Sequence, residues 1–236
     1  MLQEAMKMIK PEMTVSFGGG STVARLAKYL CDEDETLRKT LKVTTPSLET
    51  LEVLNKLNYQ IVALDDVEKI DVAFDGCDYA TQNLNAQKCM GGIHVDEKKA
   101  AKKALRYVLL TKPERIGKTY NAKLPICAEV EQDKTDLFLK MADQAGFEAK
   151  KRPGIKTSRG NLLFDLHNEK CTQADAEDVE TWPGVVGTSS FFDLCTDVIY
   201  EEKGKTIHLR KDELKLQNII GELSEPVGLR TTWQMP

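Results

Sequence analysis

The sequence holds only three histidines, no CxxC pair and no Cys/His cluster with zinc spacing, so neither a structural nor a catalytic zinc is expected. Its six cysteines, at 31, 77, 89, 127, 171 and 195, are scattered, a usage that fits free thiols in a reducing compartment. No apolar run approaches the roughly 18 residues of a membrane helix. Met1–Met13 is amphipathic and lacks the apolar core of a signal peptide, so a cytoplasmic location is expected. Positive charge is not in excess either. With 33 Lys and Arg against 37 Asp and Glu the formal charge is −4, which gives no reason to expect nucleic acid or an anionic membrane as a partner. An anionic ligand would need a local positive site.

What is present is a regular alternation. Met13–Phe17, Leu41–Thr44, Ile61–Leu64, Ile70–Phe74 and Tyr107–Leu110 are short, nearly continuous apolar runs. Between them lie helical patterns at Val23–Leu30, at 48–57 behind a Ser47 cap, and from about Asp96 to Leu105. Strands without polar alternation, separated by helices, predict an α/β fold with a parallel sheet covered on both faces. After about Ala122 the pattern changes. Strands at Leu124–Val130, Ala149–Arg152 and Asn161–His167 with helices at Thr135–Ala145 and Ala174–Thr181 predict a compact α+β unit. Asp197–Tyr200 and Thr206–Leu209 around Lys203-Gly204 predict a hairpin, and Asp212–Glu222 one more helix. The expected organisation is a Rossmann-like domain, residues 1–123 with 199–236, carrying a smaller α+β domain, residues 124–198, inserted before the C-terminal hairpin.

Ligands of open parallel sheets sit beyond the carboxyl ends of the strands, and the unusual segments fall there. Gly18-Gly19-Gly20-Ser21-Thr22 joins a strand to a helix, where backbone N–H groups and the helix terminus favour an anion. Val23 stands where a dinucleotide fingerprint needs glycine, and no lysine follows as in a Walker loop. A phosphate monoester fits better than a nucleotide cofactor, and no cofactor is expected. The second segment carries Asp75 and Asp78 in FDGCD, then Lys88, then Glu97 at the start of a helix. A carboxylate beside a carbonyl-bearing sugar can remove an α-proton, and a nearby ammonium can hold the enediolate charge. Further carboxylates can move the hydroxyl proton of ring opening. The set serves proton transfer next to a carbonyl. His94 lacks an HExxH context and reads as structural.

Taken in order, GGGST, FDGCD, Lys88 with Gly91-Gly92, Asp96-Glu97-Lys98, SRGNLLFD and PGVVGTSSF at Pro183–Phe191 resemble the type A ribose-5-phosphate isomerases over nearly all of residues 10–210. The resemblance implies metal-free interconversion of D-ribose 5-phosphate and D-ribulose 5-phosphate, in the non-oxidative pentose phosphate pathway, by a homodimer or homotetramer. By position it makes Glu97 the base between C2 and C1, with Lys88 and Asp78 steadying the enediolate and Asp75 assisting ring opening. Gly19, Gly20, Ser21 and Thr22 would hold the substrate through its phosphate. Gly76, Cys77, Cys89, Met90, Gly91 and Arg115 fall in the other matching segments and are expected to contact it.

Two departures stand out. Cys89-Met90 replaces glycines after the lysine, where a positive φ would be costly for Met and its side chain would narrow the site. Arg115 stands where the family has a lysine, keeping the charge with different geometry. They leave two alternatives, an isomerase of another aldose phosphate and a non-catalytic sugar-phosphate sensor. A sensor has no need of Glu97 together with Lys88.

Overall fold

The computed structural model describes residues 1–214. In chain order the first half contains α1 (Leu2–Met6), β1 (Thr14–Phe17), α2 (Ser21–Glu33), α3 (Glu35–Thr40), β2 (Lys42–Thr44), α4 (Leu48–Lys56), β3 (Ile70–Asp75), β4 (Tyr79–Thr81), β5 (Ala86–Gln87), α5 (His94–Lys103), β6 (Ala104–Leu110) and β7 (Ile116–Gly117). The second contains β8 (Ile126–Val130), α6 (Thr135–Gln144), β9 (Glu148–Lys156), β10 (Leu162–His167), α7 (Gln173–Val179), β11 (Val185–Thr188), β12 (Ser190–Phe191), β13 (Asp197–Glu202) and β14 (Lys205–Arg210).

The main sheet has the order β14-β13-β6-β3-β1-β2. All its pairings are parallel except the β13–β14 hairpin, whose turn residues Lys203 and Gly204 both have positive φ, as a two-residue hairpin turn requires. Apolar side chains of β1 and β3 face the helices and explain the burial. Val15, Phe17, Val72 and Phe74 pack with Val23, Leu26, Ala27 and Leu30 of α2. On the other face Ala73, Tyr107 and Leu109 group with Ala100 and Ala101 of α5. Each large side chain so buried contributes about 1.5–3 kcal/mol. Helix starts follow local chemistry. The Ser47 hydroxyl accepts from Thr50 N (3.2 Å), and Thr172 with Asp175 forms a capping box on α7.

A second, antiparallel sheet, β11-β8-β10-β9, has its own core of Phe138, Phe147, Phe164 and Trp182. A small third sheet, β12-β5-β4-β7, forms where the chain returns to the main sheet.

Several expectations change. Ile61–Leu64 is not a strand. Ile61 makes one isolated bridge to Val43, and Leu64–Asp66 is a 3-10 turn. The run is only partly buried beyond the short β2, so no continuous ladder forms there. FDGCD therefore follows β3, the third strand of the main sheet in chain order. The helix expected from Asp96 begins at His94 and stops at Lys103, because β6 extends back to Ala104 to pair with Ile70. In the second half β8 starts at Ile126 rather than Leu124, and β9 runs on to Lys156. The helix expected at Asp212–Glu222 is helical through Leu214 and otherwise lies outside the described residues.

Candidate active site

β1 and β3 end side by side, with Phe17 opposite Phe74. The chain leaves β1 through Gly18, whose N–H donates to Phe74 O (2.8 Å). A cavity of about 840 Å³ opens beyond these ends. Its wall is built by Gly19 and Gly20, Pro46 to Glu49, Gly76 to Asp78, Lys88, Met90 to Ile93, Asp96, Glu97, Arg115, Thr157 and Ser158. Gly20 caps α2, and Ser47 caps α4. Two helix N-termini therefore present positive dipole ends to one cavity, which suits an anion.

At its floor three charges meet. Lys88 Nζ lies 2.9 Å from Asp75 Oδ1 and 3.2 Å from Glu97 Oε1, and it also donates to Gly76 O. Asp75 also accepts from Gly76 N (2.8 Å) and from the Tyr107 hydroxyl (2.8 Å). All three charged side chains are buried. Two carboxylates share one ammonium, so one negative charge is uncompensated, and it falls on Glu97, which has a single charged donor against three donors for Asp75. Burial, reinforced by the Asp75 charge, pushes the Glu97 carboxyl well above its ordinary range, against the opposing pull of Lys88. For Lys88, burial favours the neutral amine, but Asp75 and Glu97 outweigh it and hold the ammonium firmly charged. Burial and the two carboxylates keep the Tyr107 phenol protonated, so it donates.

Asp75 does not line the cavity and is only 2% exposed, with both oxygens occupied. Asp75, expected to assist ring opening, stands behind Lys88 and holds it through Oδ1. Asp78 does face the cavity. Its Oδ2 accepts from Met90 N (3.1 Å) and from the Cys89 thiol (3.5 Å), while Oδ1 accepts nothing from the described residues.

The glycine replacements separate. Cys89, expected to contact the substrate, is fully buried against Cys127 and Leu163 and does not line the cavity. Met90 lines the mouth with its side chain 70% exposed. Neither adopts positive φ. That conformation falls on Gly92 (φ 69°), so the feared backbone strain does not arise. Gly76, Cys77 and Gly91 line the cavity as expected, and Arg115 reaches it from an exposed turn while donating to Cys77 O (2.7 Å). Ser21 and Thr22 form the first turn of α2, and it is Gly19 and Gly20, not these two, that line the cavity.

One contributor carries no sequence signal. Tyr107 reads as core in an apolar strand, yet its hydroxyl orients Asp75. Gly18 is required by close approach, since a Cβ there would lie 2.2 Å from Asp75 Cγ. Pro46 and Ser47, in the loop after β2, also join the wall. His94 is buried, its Nε2 bonded to Gly187 O (3.1 Å), and burial lowers its pKa to about 4, so it is a neutral structural group. Among the described residues no group of three or more His, Cys, Asp and Glu side chains is placed to hold a metal ion.

Comparison with known proteins identifies the family. The family described as ribose 5-phosphate isomerase A (phosphoriboisomerase A) matches residues 42–205. A ribose-5-phosphate isomerase A from Prochlorococcus marinus is 29% identical over 211 residues, covering 85% of this chain and 89% of that protein. The solved ribose 5-phosphate isomerase A of Methanocaldococcus jannaschii superposes with a TM-score of 0.80 at 26% identity, covering 89% of this chain and 96% of that one. A D-ribose-5-phosphate isomerase solved with phospho-erythronic acid superposes with a TM-score of 0.81 at 25% identity, covering 89% and 95%.

Proposed function

Because the chain belongs to the ribose 5-phosphate isomerase A family, we propose that the cavity beyond β1 and β3 is where its reaction occurs, with Glu97 as the proton-transferring base. The chain is an isomerase that interconverts ribose 5-phosphate and ribulose 5-phosphate. The observation that carries the assignment of roles is the buried Asp75–Lys88–Glu97 cluster opening into the cavity at Glu97 and Lys88.

The chemistry follows from these positions. The phosphate sits at the N-terminus of α2, which Gly20 caps at the cavity wall, with Arg115 of the same wall supplying positive charge. Asp78, on the cavity wall, takes the C1 hydroxyl proton and hands it to the ring oxygen as the bond between that oxygen and C1 breaks. Glu97, dehydrated and so a stronger base than a solvated carboxylate, removes the C2 proton of the open-chain aldose. The resulting enediolate places its charge on O1 and O2 beside Lys88, which enters the reaction already oriented by Asp75. A hydroxyl proton passes from O2 to O1, Glu97 delivers its proton to C1, and the ketose forms. Phospho-erythronic acid, held by the solved relative, carries a planar carboxylate much as an enediolate carries two oxygens on a planar centre.

Glu97→Gln keeps the shape and removes the base. Turnover should fall by about 10²–10⁴-fold while binding of a phosphorylated sugar acid, measured by calorimetry, persists. Turnover within a few-fold of the parent protein would reassign the base.

The same reading includes a catalytic unit built on the main sheet and a smaller unit, from about residue 124, that walls the cavity with Thr157 and Ser158. Six free thiols support a reducing compartment such as the cytoplasm. No helix among the described residues is long and apolar enough to cross a membrane. Membership of the family supports a homodimer or homotetramer, which light scattering after gel filtration would count.

A further inference from the structure

Arg152 lies in a run of basic residues, Lys150-Lys151-Arg152, at the edge strand β9 of the smaller sheet. Lys150 is solvated, with 60% of its side chain exposed, but Arg152 turns inward and retains only 14%. Its guanidinium is anchored by Asp165, Nε to Oδ2 at 2.9 Å and Nη2 to Oδ1 at 2.7 Å. The remaining donors leave the smaller sheet altogether. Nη1 donates to Met90 O (3.0 Å), and Nη2 donates to Cys89 O.

Those two carbonyls belong to the loop that follows Lys88. The same two residues donate to Asp78 Oδ2, through Met90 N and the Cys89 thiol. On its other side the loop rests on the smaller sheet so closely that a Cβ on Gly92 would lie 2.7 Å from Leu163 Cδ1 and 3.3 Å from Arg152 Nη1. One planar fork therefore joins a fixed carboxylate to two successive backbone carbonyls. Lysine has a single point of charge and cannot make the same set of bonds.

We infer that Arg152, oriented by Asp165, is a positioning residue for the isomerisation, holding the carbonyls of Cys89 and Met90 and thereby setting where Lys88 and Asp78 stand. It touches neither substrate nor reacting atoms and does not line the cavity. The inference rests on the roles given to Lys88 and Asp78 above.

The test uses the full chain with Arg152→Ala and Arg152→Lys, and it reads kcat, KM, thermal unfolding and the rate at which iodoacetamide alkylates Cys89. Displacing catalytic groups by about an ångström costs about 10²-fold in rate, so Arg152→Ala should lower kcat on that scale with KM nearly unchanged. Added guanidinium ion should restore part of the loss. Arg152→Lys should retain the fold and fall between the two. Cys89, fully buried in the parent protein, should be alkylated faster in Arg152→Ala, while Cys127, on the neighbouring strand β8, stays protected. Unchanged kcat and unchanged Cys89 labelling in both variants would overturn the inference. So would a rise in KM at constant kcat, or a loss of activity that only tracks the unfolded fraction. If the parent protein fails to isomerise ribose 5-phosphate while Cys89 labelling responds as described, the substrate reading fails and the hold on the loop stands.

Discussion

Gly18→Ala and Gly19→Ala are adjacent one-methyl changes that should fail in different ways. At Gly18 an added Cβ would lie 2.2 Å from Asp75 Cγ and 2.3 and 2.6 Å from its oxygens. Ordinary contact begins more than an ångström further out. Asp75 cannot yield by rotating, because Tyr107, Gly76 N and Lys88 hold it at 2.8, 2.8 and 2.9 Å. Nor can Gly18 retreat easily, with its N–H on Phe74 O and its carbonyl accepting from Thr50 Oγ1 (2.7 Å). Something in the buried cluster must break, and disrupting a buried charge pair costs about 3–5 kcal/mol. Lys88 moves with Asp75, so turnover should also drop by about 10²-fold. At Gly19 the added Cβ meets Ile93 Cδ1 at 3.5 Å and Glu97 Oε1 at 3.6 Å, ordinary contacts that leave the fold intact. That methyl instead fills space in front of Glu97, so stability should hold while kcat/KM falls. Urea unfolding and steady-state kinetics on both variants read the two effects. A Gly18→Ala protein within about 1 kcal/mol of its parent and equally active would refute the geometry of the cluster.

Three further outcomes follow from the same charges. Glu97 holds its proton more tightly folded than unfolded, so it makes stability fall as pH rises above 4.5 toward its raised value; Glu97→Gln should therefore melt a few degrees above its parent in alkaline buffer and no higher in acid. Calorimetry at both ends of the range checks the sign, and a lower alkaline Tm would contradict it. The acid limb of kcat/KM should likewise lie above the ordinary glutamate range, since only the ionised carboxyl can accept the C2 proton; a limb inside that range would point to a different base. Tyr107→Phe removes one of three donors to Asp75 and should cost about 1–3 kcal/mol, with a smaller loss of turnover than Gly18→Ala; an unchanged urea midpoint would show that the hydroxyl is dispensable.

The parts of this site that the sequence made legible are those that position alone dictates. Apolar runs without polar alternation specify parallel strands, and residues just past such runs must gather at one edge, which brings Gly19, Asp78, Lys88 and Glu97 together. What stayed hidden depends on the direction of a side chain or on register between distant elements. Asp75 and Asp78 are three residues apart and look alike, but one is sealed against Tyr107 and the other faces the cavity. Their distinction exists only once β3 is paired with β6. Cys89 and Met90 are neighbours on opposite sides of one loop. Arg152 sits among lysines that are solvated, and only the packing of β9 on the Lys88 loop separates it from them. Ile61–Leu64 had a strand's composition and lacked a ladder to join.

The central claim is that a single carboxylate, Glu97, carries the proton between C2 and C1 through an enediolate. Isomerisation of ribose 5-phosphate in deuterated water, followed by NMR at C1 of the ribulose 5-phosphate formed, tests it directly. The proton waits on a carboxyl that can exchange with solvent, so deuterium should appear at C1, and the Glu97→Gln protein should leave both turnover and incorporation near background. Turnover with no deuterium at C1 would indicate hydride transfer between the carbons, and incorporation at the parent rate in Glu97→Gln would place the base elsewhere.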